Sequence, residues 1–182
     1  VGDGLQSLIS NILNSTSLPI VLDADGINNM SFFDEPPFKR AGPTILTPHA
    51  RELARLMKTT TEKIQENRLE SVKSYIEKWK TFLILKGCRT IIGDPQGNMW
   101  FNTTGNPGLA RGGSGDILTG LLGGILAQRY TPLTACLVSV YWHGLAANIA
   151  VQETGEFSLT MEDILTSFSK AYQYRSKISR DN

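Results

Sequence analysis

The chain has 182 residues, 41% of them hydrophobic and 19% charged, and 18 Lys and Arg stand against 17 Asp and Glu for a formal net charge of +1. This is enough chain for one domain with its own core, of a composition ordinary for a soluble globular protein. The near-balanced charge gives no support to nucleic-acid or polyanion binding through bulk charge.

Leu5–Leu13 (LQSLISNIL) carries apolar residues at helical spacing. Pro19–Leu22 is a short apolar run that ends at Asp23 and Asp25, the pattern of a buried strand reaching a polar edge. Pro36 and Pro37 break the chain, and TILTPHA (44–50) repeats the pattern of apolar run, turn and polar edge. ARELARLM (50–57) and TEKIQENRLESVKSYIEKWK (61–80) read as helices, the second with Glu and Lys on a solvated face. TFLILKG (81–87) is another buried strand, and TIIGDPQGNMWFN (90–102) reads as two strands joined by a turn at Asp94, Pro95 and Gly97. The glycine-rich TGNPGLARGGSGD (104–116) follows, then helices over Asp116–Gln128, Leu133–Gln152 and Met161–Arg175. Strands alternating with helices predict an α/β fold with a mainly parallel sheet, as a single domain over residues 1–182.

Cys88 and Cys136 lie far apart, with no CxxC and no histidine at metal spacing. They read as partly buried free thiols in a reducing cytosol. No apolar run is seen to reach the roughly 18–20 residues of a membrane span. No signal peptide opens the chain, which begins VGDGLQ. A cytoplasmic location without membrane contact is the expectation.

The glycine-rich stretch carries the chemistry. A helix N-terminus leaves N–H groups unpaired and bears partial positive charge, and glycines let such groups converge on an anion. Gly112, Gly113, Ser114 and Gly115 are expected to line that turn and Asp116 to begin the helix, with phosphate as the favoured anion. Asp116 has two readings, a helix cap or a general base towards a hydroxyl beside the phosphate. The stretch is neither a Walker A loop, since no Gly-Lys-Ser/Thr follows, nor a GxGxxG fingerprint after a first strand. Asp23, Asp25, His49, Glu52 and Lys86 fall at strand ends, where open α/β sheets gather ligands. Each also has an ordinary reading: a cap for Asp25 and His49, a first-turn helix charge for Glu52, a solvated strand end for Lys86.

With LDADGIN (22–28), TPHARELARL (47–56), LKGCRT (85–90), TGNPGLARGGSGD (104–116) and YWHGLAANIA (141–150) in this order, the sequence resembles the ADP/ATP-dependent NAD(P)H-hydrate dehydratases. The resemblance covers essentially the whole chain. It implies a ribokinase-like three-layer sandwich without its N-terminal strands, roughly the C-terminal two-thirds of the family's domain. The activity implied is metabolite repair. The hydroxyl of (6S)-hydrated NADH or NADPH is phosphorylated by ATP or ADP with Mg²⁺, and loss of phosphate restores the ring double bond.

By the same resemblance Asp116 is the base, and the N–H groups of Gly113, Ser114 and Gly115 form the anion hole. Lys86, Gly87, Cys88, Arg89, Thr90 and Gly115 bind the nucleotide. Gly4 (with Gly2), His49 and Asp116 meet the substrate, and Glu52 and Asp23 organise magnesium indirectly. A homotetramer and a preceding segment or epimerase domain are also implied. Departures are Asp3, Gln6, Ala50–Arg51 in place of Pro-Gly, Asn148 where an acid is common, and Arg111, which adds positive charge beside the anion turn. The alternatives are a ribokinase-like small-molecule kinase and a non-catalytic nucleotide-binding fragment.

Overall fold

The computed structural model describes residues 3–33 and 40–178. Its elements in chain order are α1 (Asp3–Ser15), β1 (Ile20–Leu22), α2 (Asp25–Met30), β2 (Thr44–Leu46), α3 (Ala50–Leu56), α4 (Thr61–Glu66), α5 (Arg68–Trp79), β3 (Phe82–Leu85), β4 (Ile91–Gly93), β5 (Met99–Phe101), α6 (Ser114–Ala127), α7 (Pro132–Thr154) and α8 (Met161–Ile178), with a single 3-10 turn at Pro107–Leu109. Pro36, Pro37 and Gly2 lie outside the described residues.

The five strands lie side by side in sequence order. β1, β2 and β3 pair parallel, while β4 runs antiparallel to both β3 and β5. Four strands therefore share one direction and β4 alone opposes them, so the expected mainly parallel sheet ends in a hairpin. The turn of that hairpin hangs on Asp94, whose carboxylate accepts from the N–H groups of Gln96 at 2.9 Å and Asn98 at 2.8 Å. Among the described residues β1 has no strand on its outer side.

Alternation along the strands feeds two cores. Leu22, Leu46, Leu83, Leu85 and Ile91 face one side, against α1–α5. Ile45, Ile84 and Ile92 face the other, against α6 and α7. Period-two alternation of large apolar residues, buried on both faces, is what a helix–sheet–helix sandwich requires. A third cluster joins α7 to α8 through Ala146, Ala147, Ala150, Leu159, Ile164 and Ala171.

Four local expectations are corrected. The single helix read over 61–80 is two helices, because Asn67 leaves helical geometry at φ −131°, ψ 51°. The glycine-rich segment ends earlier than expected: the helix begins at Ser114, with Gly113 in the cap position. Of the cysteines, Cys88 is exposed and Cys136 buried, both free. Finally, α7 is long and apolar enough to cross a membrane by length and composition, contrary to the reading of the sequence. Its scattered Thr, Ser, His and Asn residues had masked the run. In the fold it is a core helix, half-buried between α6, the sheet and α8.

The docking of α7 on the chain after β5 leaves no room at Gly144. A Cβ there would lie 2.3 Å from Thr104 Oγ1 and 2.6 Å from the Thr104 carbonyl carbon. Because one of those neighbours is backbone, Gly144→Ala is expected to destabilise the protein by about 2–4 kcal/mol, read as a lower denaturant midpoint with an unchanged m-value.

Candidate active site

Parallel pairing of β1, β2 and β3 brings their carboxyl ends to one edge of the sheet, and backbone bonds lace the three exits together. Thr47 N–H donates to Leu22 O at 3.1 Å, and Lys86 N–H donates to Pro48 O at 2.8 Å. Asp23 follows β1 and Lys86 follows β3, so the register sets their side chains within reach. Lys86 Nζ donates to Asp23 Oδ1 at 2.8 Å. From the second turn of α6, Thr119 Oγ1 donates to Asp23 Oδ2 at 3.0 Å. Burial pushes the Asp23 carboxyl up, but the hydrogen bond and charge of Lys86, together with hydrogen bonds from the Ala24 backbone and the Thr47 hydroxyl, hold the group below its usual 3.8.

The first turn of α6 is seated on this pair. A Cβ on Gly115 would stand 3.3 Å from both Asp23 Oδ2 and Lys86 Nζ. Gly113 takes φ +88°, a left-handed conformation that a side chain disfavours. Ser114 N–H makes a long 3.4 Å bond to Arg111 O. The N–H groups of Gly113, Gly115 and Asp116 meet no backbone acceptor among the described residues, as a helix start without a side-chain cap leaves them. Of the three residues expected to line an anion hole, Gly113 and Gly115 thus offer free donors, and Asp116 adds one. The Asp116 side chain is exposed in the first turn and is not the cap.

The glycine-rich segment is shaped from outside by α7 and the loop before α8. Thr104 Oγ1 donates to Tyr141 O at 2.9 Å, and Asn106 Nδ2 to Asn148 Oδ1 at 3.1 Å. Asn148, at the position where an acid was looked for, is thus an anchor for the loop. Arg111 donates to Leu159 O, to Phe157 O at 2.8 Å and to Glu156 O at 3.2 Å. These three carbonyls fix the guanidinium as a brace on the loop before α8, and because carbonyls are neutral its positive charge stays beside the turn.

The loop 86–90 after β3 has its own brace. Gly87 sits at φ +140° and Arg89 at φ +53°. Arg68, first residue of α5, donates to Cys88 O and, at 3.3 Å, to Leu85 O, and Thr90 Oγ1 donates to Gly87 O at 3.1 Å. Gly87, Cys88 and Arg89 are exposed.

His49 and Glu52 form one reciprocal unit at the start of α3. His49 Nδ1 accepts from Glu52 N–H at 3.2 Å, and Glu52 Oε2 accepts from His49 N–H at 2.8 Å, a capping box with histidine in the cap position. His49 stays exposed and Glu52 is buried. Asp25 is not a cap: Ala24 holds that position at φ 45° without a side-chain bond. Gly4 is exposed in the first turn of α1, with open space around it, and no described hydrogen bond ties it to the cluster.

Neither carboxylate assigned to magnesium is free to hold it directly, since Asp23 is paired with Lys86 and Glu52 closes the capping box. Among the described residues no three His, Cys, Asp or Glu side chains gather as a metal site. Such a surrounding fits a magnesium ion that stays largely hydrated and is carried by phosphates.

Thr119, Arg68, Asn106 and His143 were not singled out from the sequence. The partners of Thr119, Arg68 and His143 lie far along the chain (96 residues for Thr119 and Asp23), while Asn106 caps the local turn at Gly108 N–H and reaches Asn148 as well.

The sequence matches the NAD(P)H-hydrate dehydratase family over residues 2–170. It is 39% identical over 171 residues to a bifunctional NAD(P)H-hydrate repair enzyme of Moorella thermoacetica, covering 91% of this chain and 32% of that protein. The fold is similar to an ADP/ATP-dependent NAD(P)H-hydrate dehydratase from Bacillus subtilis co-crystallised with ATP and Mg²⁺, at TM-score 0.86 and 33% identity, over 95% of this chain and 60% of that one. A ribokinase-like superfamily protein from Enterococcus faecalis matches at TM-score 0.78 and 25% identity, over 96% and 60% of the two chains. The chain therefore spans about a third of the length of the first of these relatives and about 60% of the other two.

Removing the Asp23 charge tests the pair on which α6 rests. A carboxyl held below its unfolded value stabilises the fold above that value, and the stabilisation is lost as pH falls through the depressed one. Asp23→Asn is expected to lower unfolding free energy by about 2 kcal/mol at pH 7, because it leaves a largely buried ammonium unpaired. The gap to the parent protein should close as pH falls below the ordinary carboxyl value of 3.8. A gap that stays constant down to pH 3 would show that the pair is not what the substitution removes.

Proposed function

The chain belongs to the NAD(P)H-hydrate dehydratase family, and we propose that it restores hydrated NADH and NADPH by nucleotide-dependent dehydration of the (6S)-hydrate. The observation that carries this reading is the first turn of α6. It joins free N–H donors at Gly113, Gly115 and Asp116 to an exposed carboxylate on Asp116, and it sits on Lys86. An anion cradle and a base on the same turn suit phosphoryl transfer to a hydroxyl.

In this mechanism Asp116 takes the proton of the ring hydroxyl as its oxygen accepts a phosphoryl group from ATP or ADP. The N–H donors and Lys86 meet the charge that develops on the transferring group. The C–O bond then breaks with its electron pair leaving on phosphate, and loss of a proton from the adjacent ring carbon closes the double bond. Phosphorylation is needed because hydroxide leaves poorly and phosphate leaves well. Magnesium, when bound, neutralises phosphate charge. Residues 86–90, held open by Arg68, take the nucleotide, with Gly115 beside them. His49 binds the substrate through the imidazole face that the capping box leaves in solvent, and Gly4 joins it there. Glu52 fixes His49 and Asp23 fixes Lys86, and through these partners both would organise a hydrated magnesium ion indirectly. A cytoplasmic location and a homotetramer complete the reading.

The test is to mix the protein with hydrated NADH, Mg²⁺ and either ATP or ADP. NADH absorbance should rise only when nucleotide is present, with one phosphate released per NADH formed. A stable phosphorylated product without NADH would replace this reading with a small-molecule kinase, and nucleotide binding without turnover would replace it with a binding fragment. Asp116→Asn should lower kcat by about 10²–10⁴ while nucleotide affinity stays within about twofold.

A further inference from the structure

His143 lies in the middle of α7, beneath the glycine-rich turn and only 7% exposed. Its Nε2 stands 3.4 Å from Ser114 Oγ, and the Ser114 side chain is itself buried. Ser114 is the first residue of α6, between Gly113 and Gly115. Its hydroxyl points away from solvent and into α7, so it is a fastener of the turn rather than a ligand of whatever the turn receives. Burial, and after it the charge of Lys86, push His143 down to about 4, so at neutral pH the imidazole is uncharged and can hold the hydroxyl as a neutral partner.

Elsewhere the turn is held by packing alone, Gly113 against Met161 and Gly115 against Asp23 and Lys86, without a side-chain hydrogen bond among the described residues. Gly113 occupies the cap position without a side chain, and the helix start has no side-chain cap. Gly112 has open space around its Cα. Glycine on both sides of Ser114 makes the direction of the free N–H groups soft. Among the described hydrogen bonds, that from Ser114 to His143 is the one side-chain bond that reaches residues 113–116.

We propose that His143 is a positioning residue of this site: through the Ser114 hydroxyl it fixes the first turn of α6 so that the Gly113, Gly115 and Asp116 donors converge on the transferring phosphoryl group. The inference rests on the phosphoryl-transfer reading above. It adds a residue that touches neither nucleotide nor hydrate.

Two experiments test it. In the first, kcat and both KM values are measured for His143→Leu, His143→Gln, Ser114→Ala and the double variant His143→Leu/Ser114→Ala, with thermal unfolding measured in parallel. His143→Leu and Ser114→Ala are each expected to lower kcat about tenfold with the nucleotide KM within about twofold, and the double variant should be no slower than the slower single. His143→Gln, which can still meet the hydroxyl, should recover part of the loss. Unchanged kcat in folded His143→Leu, or losses that multiply in the double variant, would overturn the proposal.

The second experiment does not need turnover. The chain has two histidines, so the imidazole nitrogen signals lost in His143→Gln identify His143 by NMR. Adding MgATP should shift the His143 Nε2 signal in the parent protein and leave it in place in Ser114→Ala. No shift in the parent would sink the inference even if the protein dehydrates the hydrate. A shift in a protein that does not turn over would keep the inference and reject the activity.

Discussion

One ion pair ties the two halves of this architecture together. Lys86 and Asp23 leave parallel strands at the same edge of the sheet, and Thr119 closes the pair from α6. The gain in stability from such a pair is small, because most of the attraction is spent on removing two charges from water. Its weight is positional. An unpaired ammonium at this depth is costly, so the pair tolerates few arrangements, and α6, packed on the sheet through Leu118, Leu122 and Ile125, meets it through Thr119. The same ammonium then stands beside Gly115 at the helix start. A cation is thus presented where an anion would be received, already held by a carboxylate that keeps it from collapsing onto the site.

The glycine-rich segment gains its order from its neighbours. Left to itself, a run with glycines at 105, 108, 112, 113 and 115 carries a large conformational entropy. Here the cost is offset by bonds to α7 from Thr104 and Asn106, and by Arg111 reaching the loop before α8. All of these partners lie outside the turn that carries the free N–H groups. The segment can therefore be rigid at its anchors and open where a ligand enters, which is the condition for preorganised electrostatics. Arg68 plays the same part for residues 86–90, holding carbonyls from below while the upper face stays in solvent.

The start of α3 shows a histidine engaged in the fold and still open to solvent. His49 and Glu52 satisfy each other's backbone donors, which stabilises the helix start. That bond also fixes the imidazole with Nδ1 as acceptor, and leaves the ring exposed at the sheet edge. Both ring nitrogens turn towards Glu52, Nδ1 to its N–H at 3.2 Å and Nε2 to its carboxylate at 3.5 Å, while the ring face stays in solvent.

The sequence by itself determined the layers and the chemistry available. Alternation in IVL, TIL and FLIL requires a sheet buried on both faces, and its side-to-side division between two cores follows residue by residue. The motif GGSGD before an apolar helix marked the turn whose N–H groups stay open, because glycine and a helix start are local features. What sequence reading could not reach was set by contacts between distant segments. The bracing of Arg111 against the loop before α8 is one case, whereas the break at Asn67, the start of α6 at Ser114 and the apolar length of α7 are local features that the sequence pattern underdetermined. That Asp23 pairs with Lys86, that Arg111 donates to three carbonyls and that His143 lies under the turn became visible only when the tertiary structure brought their partners in. The physical reason is that a polar side chain's role is fixed by which group desolvates it and satisfies it, and for these residues that group lies 29 to 96 positions away.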